Sequence, residues 1–236
     1  MKKMKKIKTL INSFLSLFYP EQCVVCKNIL IEGEEFLCLH CSLDLPKTNH
    51  HLCSDNVASK NLIGKVIFEN VSAYLFYSKG GMSQKIVSEI KYKGNRCFGR
   101  WIGAYLASDI RDSGFFDRID LLVPIPLHRK KLRKRGFNQS EIISQGISEV
   151  TGIPVDKTNL YRSIANPTQT KKGSFERWLN TKDIFEVKEN SAFEGKHILL
   201  IDDVFTTGST IEAAINTINQ ECKNARISVL TLALSC

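Results

Sequence analysis

The sequence predicts an α/β protein: a mainly parallel sheet with helices on both faces, preceded by a small cysteine-bearing module. Three observations carry that prediction. From residue 66 onward, short β-branched and apolar runs alternate with segments of helical period, and strands separated by helices build parallel sheets covered on both sides. The run Lys196–Ile201 ends in four consecutive apolar residues, the pattern of a strand buried on both faces. Ahead of these elements lie two Cys-x2-Cys pairs, Cys23 with Cys26 and Cys38 with Cys41, separated by eleven residues.

Taken in order, residues 1–22 form a leader. Its lysines followed by Leu10–Phe18 imitate a signal peptide, but Asn12, Ser13 and Ser16 interrupt the apolar stretch and no small-x-small cleavage site follows. Ile7, Leu10, Ile11, Phe14, Leu15, Leu17 and Phe18 share one helical face, so an amphipathic helix is expected, packed on the protein or lying on a membrane surface or partner. No apolar run is long enough to span a bilayer, and a cytoplasmic protein is expected.

Residues 23–55 read as a zinc-ribbon or knuckle module. Each Cys-x2-Cys turn supplies two thiolates, and two such turns make a tetrahedral four-cysteine site for structural Zn²⁺. A secreted disulfide framework would need a small, cysteine-dense chain, and the remaining four of the eight cysteines are scattered. With four cysteines closing the site, His50 and His51 are expected to be ordinary surface residues.

Residues 56–236 form the main domain. A strand is expected over Val66–Tyr77, helices over Met82–Tyr92 and Phe98–Ile110, and a buried strand over Ile119–Ile125, closed by Pro124 and Pro126. A helix over Phe137–Val150 ends at Gly152-Ile153-Pro154. After the strand Lys196–Ile201 come a loop over Asp202–Gly208, a helix over Ser209–Gln220 opened by a capping box of Ser209 with Glu212, and a closing strand over Ile227–Leu234.

The formal charge of +9 points to anionic partners: phosphates, nucleic acid or an acidic protein. The excess concentrates at Lys2–Lys8 and at Arg129–Arg135. The second run reads as a solvated basic loop, a pyrophosphate clamp or a contact for single-stranded DNA.

The segment Ile198–Thr210 carries the clearest chemistry. Ligands of open α/β sheets bind at the carboxyl ends of strands. Asp202 and Asp203, placed there, can accept hydrogen bonds from vicinal hydroxyls or stand near Mg²⁺. Thr206, Thr207, Gly208, Ser209 and Thr210 follow as a hydroxyl-rich loop running into a helix N-terminus, where amides, dipole and hydroxyls converge on a phosphate. Gly208 lets the backbone approach closely. Acids for a diol beside amides for a phosphate describe a ribose 5-phosphate pocket.

That thirteen-residue string resembles the signature with which type I phosphoribosyltransferases bind 5-phosphoribosyl-1-pyrophosphate (PRPP). Asp120–His128, Leu132–Ser140, the order Gln169…Arg177…Asn180 with Phe185 after it, Ile90-Lys91-Tyr92-Lys93-Gly94 and the double Cys-x2-Cys together resemble the ComF family. These are phosphoribosyltransferase-like proteins associated with competence for DNA uptake. Gly173 stands where that family usually carries a leucine.

The resemblance implies a type I phosphoribosyltransferase fold. It places Asp202 and Asp203 on the ribose hydroxyls, Thr206–Thr210 on the 5-phosphate, and Pro124, Ile125 and Pro126 at the pyrophosphate. It makes Gln169–Asn180 a mobile loop, with Arg177 among the catalytic residues. It also implies Mg²⁺ carried by PRPP oxygens and water, and single-stranded DNA and the DNA-uptake machinery as partners. Two further readings stay open: a phosphoribosyltransferase of nucleotide metabolism or salvage with no DNA role, and a non-catalytic module that binds PRPP as a regulatory ligand. In a third, the zinc module is the functional centre.

Overall fold

A computed structural model of the chain describes residues 20–162 and 184–235. The leader helix expected over residues 7–18, and Gln169, Gly173, Arg177 and Asn180, lie outside the described residues. In chain order the elements begin with α1 (Leu39–Leu43), α2 (Val57–Lys60) and β1 (Asn70–Tyr77). There follow α3 (Met82–Lys93), α4 (Arg96–Ile110), β2 (Leu121–Pro124), α5 (Arg129–Arg135) and α6 (Gln139–Thr151). The chain continues through β3 (Leu160–Arg162), β4 (Phe185–Val187), β5 (His197–Phe205), α7 (Ser209–Glu221) and β6 (Arg226–Ser235).

Strands β1, β6, β5 and β2, in that spatial order, make a four-stranded sheet in which every pair is parallel. β3 and β4 form a separate antiparallel pair. β6, last in sequence, is thus an inner strand. Along β5, Leu199 and Ile201 join the core with α3, α4 and α6, while Ile198 and Leu200 join the core with α7 and the β3–β4 pair. Burial on both faces is what the unbroken apolar run requires.

The longer helices end as their sequences dictate. Gly94, Gly136 and Gly152 adopt left-handed conformations after α3, α5 and α6, a backbone region that costs a residue without Cβ nothing. α4 and α6 cross closely because a Cβ on Gly146 would run into the carbonyl of Arg100, and one on Gly103 into that of Ile143.

Four expectations are corrected. The segment after Ile201 is not a loop at once: β5 continues through Asp202, Asp203 and Val204 to Phe205, paired with β6. Arg129–Arg135 is a helix, not a loop, with His128 Nδ1 accepting from the Lys130 amide at its start. The capping box of Ser209 with Glu212 is not formed, because Gly208 is the N-cap and offers no side chain. His50 is buried, its ring edge-on to Phe76 at 5.8 Å, and burial lowers its pKa.

The cysteine module packs directly on the sheet domain. Cys23, Val24, Val25, Leu37 and Cys41 share one core with Ile86, Phe98 and Ile102, and Phe36 sits 5.6 Å from Phe98 and 5.7 Å from Trp101, ring to ring. The connecting segment then lies along β1: Phe76 donates to Pro46 O at 2.8 Å and Thr48 donates to Tyr74 O at 2.9 Å.

Candidate functional site

Two sites stand out, one built of thiols and one of carboxyls. In the first, Lys27 takes a left-handed φ of 67° and donates its amide to Cys23 O at 3.0 Å, which closes the first Cys-x2-Cys turn. Cys38 caps α1 and Cys41 lies within it. The sulfurs of Cys23, Cys26, Cys38 and Cys41 all lie within 4.8 Å of one another, with Cys26 and Cys38 at 3.7 Å. Sulfurs about 2.3 Å from a common tetrahedral zinc stand roughly 3.8 Å apart, so the cluster fits a structural Zn²⁺.

Ionisation agrees with that fit. Burial pushes the Cys23 thiol up, but the amides of Cys26, Cys38 and Val25 outweigh it and bring the thiol down to about 6. Burial and the neighbouring sulfurs raise Cys41. A divalent cation relieves that crowding.

The second site sits at the carboxyl end of β5. Asp202 Oδ1 accepts from Ser140 Oγ of α6 at 3.0 Å and from the Asp203 amide at 2.8 Å. Asp203 Oδ1 is 2.8 Å from Lys91 Nζ of α3, with both side chains largely shielded. Burial, then the charge of Asp203, pushes the Asp202 carboxyl up to about 7, against the lowering pull of the Asp203 amide, Ser140 and Lys91. The acids are therefore half-buried and already partnered. Lys91 and Ser140 had no role assigned from sequence, although both fall within the segments that carry the family resemblance.

Beyond the acids, Thr206, Thr207 and Ser209 are exposed, and Thr207 Oγ1 is 2.9 Å from Ser209 Oγ. The first-turn amides of α7 have no intrahelical acceptor, and its N-cap supplies none. Gly208 has a φ of 79°, and a Cβ there would stand 2.8 Å from Phe205 Cζ and 3.2 Å from Leu62 Cδ2. The glycine is thus demanded by backbone conformation and by packing under the loop, independently of any ligand.

Pro124 lies beside Ile201, the residue before the acid pair. The Ile125 amide donates to Ile201 O at 2.9 Å, and Pro124 and Pro126 carry no N–H. Pro124, Ile125 and Pro126 therefore offer an anion no free amide. Ile125 O accepts from Asn138 Nδ2 at 2.9 Å, which ties this turn to the start of α6.

α5 projects from the same end of the sheet. Arg129 to Lys134 are exposed, while Arg135 turns inward, its guanidinium 2.7 Å from Gln139 Oε1 and 5.9 Å from the ring centre of the exposed Tyr92. His197, at the opposite end of β5, is structural: its Nε2 meets Ser228 Oγ at 2.9 Å, and burial lowers its pKa. Among the described residues no helix is long and apolar enough to cross a membrane.

Comparison with known proteins bears on both sites. Residues 14–58 match a family model described as a double zinc ribbon domain. Over 227 residues, covering 94% of this chain and 88% of the relative, the sequence is 30% identical to competence protein ComFC of Bacillus subtilis. It is 27% identical to competence protein F of Haemophilus influenzae over 53% of this chain and 57% of that protein. It is 34% identical to DNA utilization protein YhgH of Escherichia coli over 39% of this chain and 40% of that protein. Among solved structures, the B. subtilis glutamine PRPP amidotransferase overlaps 56% of this chain and 25% of that chain at 16% identity and a TM-score of 0.40, too distant to carry an argument. The near full-length relationship to ComFC, together with the N-terminal ribbon, is decisive: the chain belongs to the ComF family of competence-associated proteins.

Proposed function

We propose that this chain binds PRPP at the carboxyl end of β5 and serves DNA uptake, working in the cytoplasm. One observation carries the ligand. A carboxyl pair near the end of a parallel strand is followed, after Val204 and the buried Phe205, by an exposed hydroxyl-rich turn into the N-terminus of α7. Asp202 and Asp203 accept the ribose hydroxyls, and Thr206, Thr207, Ser209 and Thr210 with the first amides of α7 hold the 5-phosphate. Mg²⁺ is carried by the phosphate oxygens and water, as magnesium bound with phosphates usually is, and Asp203 is already neutralised by Lys91.

Phosphoribosyl transfer at this site would pass through an oxocarbenium-like ribose as pyrophosphate leaves. The acid pair would lie near the developing positive charge, and Arg177 would act on the departing anion. No protein nucleophile is needed. The role in DNA uptake rests on the family and on the names of its relatives. The exposed cations Arg129–Lys134 of α5, with the exposed Tyr92 ring beside Arg135, favour single-stranded DNA as the partner there.

The test is calorimetric titration of PRPP with Mg²⁺ into the parent and the Asp202→Ala/Asp203→Ala double variant. A charge-assisted hydrogen bond is worth about 1.5–3 kcal/mol, so the double variant should bind at least roughly tenfold more weakly. Equal affinity would remove the site from β5 and return attention to the zinc ribbon. A pyrophosphate-release screen over candidate acceptors then separates a transferase from a binding module.

A further inference from the structure

The two carboxyls at the end of β5 have different surroundings. Asp203 faces a cation: Lys91 Nζ is 2.8 Å from its Oδ1, and the lysine and aspartate side chains are 18% and 15% exposed. Among the described residues Asp202 contacts neutral donors only, the Ser140 hydroxyl and the Asp203 amide. The other groups facing Asp202 do not reverse this contrast. Its register partner on β6 is the uncharged Thr231, and Arg162 of β3 acts on it only through space.

Adjacent carboxyls in a shielded place do not both ionise freely, so one retains a proton toward neutral pH. The cation decides which. We infer that Lys91 is the positioning residue of the acid pair: it fixes Asp203 as the standing charge and leaves Asp202 as the member that takes up and releases the proton. The raised pKa of Asp202 agrees with this division. In use, the inference rests on the diol-binding reading of the pair, since a protonated Asp202 is a poorer acceptor for a ribose hydroxyl. Ligand affinity would then fall as pH drops through the titration of Asp202, and Lys91 would set where that happens.

The deciding measurement needs no ligand. The protein is labelled with ¹³C at the aspartate carboxyls and titrated by NMR, each resonance being assigned by its loss in Asp202→Asn or Asp203→Asn. In the parent, the Asp202 resonance should move through a step near neutrality while that of Asp203 stays still. In Lys91→Met, both should move together in one shared step, with its midpoint about one pH unit higher, a tenfold change in proton affinity. Lys91→Arg should restore the one-sided titration, which a loss of packing alone would not explain. Lys91→Gln carries the same expectation as methionine should the apolar side chain disturb α3. Joint movement in the parent, or a one-sided step that survives in both neutral variants, overturns the assignment. Titrating PRPP with Mg²⁺ against pH into the parent and Lys91→Met then addresses the ligand separately, because the ligand's own phosphates titrate identically in both. Failure of the parent to bind PRPP at any pH would remove the diol role while leaving the carboxyl titration standing.

Discussion

Asp202 is the residue at which function and stability pull in opposite directions. Its carboxyl is raised to about 7 by burial and by Asp203, whereas an unfolded aspartate titrates at about 3.9. Between those values the native chain holds more protons than the unfolded one, so this group's contribution to stability is full below about pH 4. It is lost as pH rises through about 7. Asp202→Asn keeps an acceptor for Ser140 and for the Asp203 amide but removes the charge. It should therefore raise the Tm at pH 8 by a few degrees, at about 2–4 °C per kcal/mol, and the gain should shrink toward pH 4–5. A calorimetric difference that is the same at both pH values would show that the charge of Asp202 costs nothing. At this scale the sequence singled out the acids as candidates through their place after an apolar run and before a hydroxyl-rich stretch. It was silent on Lys91 and Ser140, because partners 112 and 62 positions away from their acids leave no local pattern. Gly208 was legible as a place of close backbone approach, whereas its φ of 79° and the Phe205 ring beneath it are properties of the folded turn.

Among the elements, α5 separates what hydrophobic period can and cannot find. The long helices of the sheet domain bury apolar faces and were foreseen within a few residues of their ends. The seven residues of α5, Arg-Lys-Lys-Leu-Arg-Lys-Arg, have no apolar period to read. Lys and Arg are nonetheless good helix formers, and His128 before with Gly136 after supplied end signals that charge counting passed over. A helix holds its cations at fixed spacing, and the negative end of its dipole favours Arg133, Lys134 and Arg135 there. If α5 binds single strands, replacing Arg129, Lys130, Lys131 and Arg133 by serine should flatten the dependence of log K on log salt by up to roughly 0.7 per cation removed. Filter binding or anisotropy at several salt concentrations reads this directly, and an unaltered slope returns α5 to a solvated surface. The close crossing of α4 and α6 was invisible for the opposite reason. Gly103 and Gly146 lie inside helices, where glycine is locally unfavourable, and only the approach of the facing backbone explains them.

For the whole molecule, the boundary expected between residues 55 and 56 is less of a division than composition suggested. Shared burial of the ribbon with α3 and α4, the Lys85 Nζ contact to Val25 O at 3.0 Å and the Pro46–Thr48 pairing on β1 couple the four-cysteine cluster to the sheet. Structural zinc contributes folding free energy outright. Removing it by chelation, or replacing Cys23 by serine, should therefore lower the temperature of a single cooperative transition; two separate transitions in calorimetry would show an independent module. The Pro46–Thr48 segment has one more effect. On the far side of the sheet, the Leu122 amide and carbonyl are taken up by Pro154 O and the Asp156 amide, both at 2.9 Å. Each outer strand of the four-stranded sheet is thus fenced by a stretch of non-strand chain from its own molecule. Bare strand rims are where sheets of separate chains fuse and where fibrils nucleate, and here both rims are already spoken for over these stretches. Over these stretches the four-stranded sheet leaves a strand of another chain no free backbone to pair with.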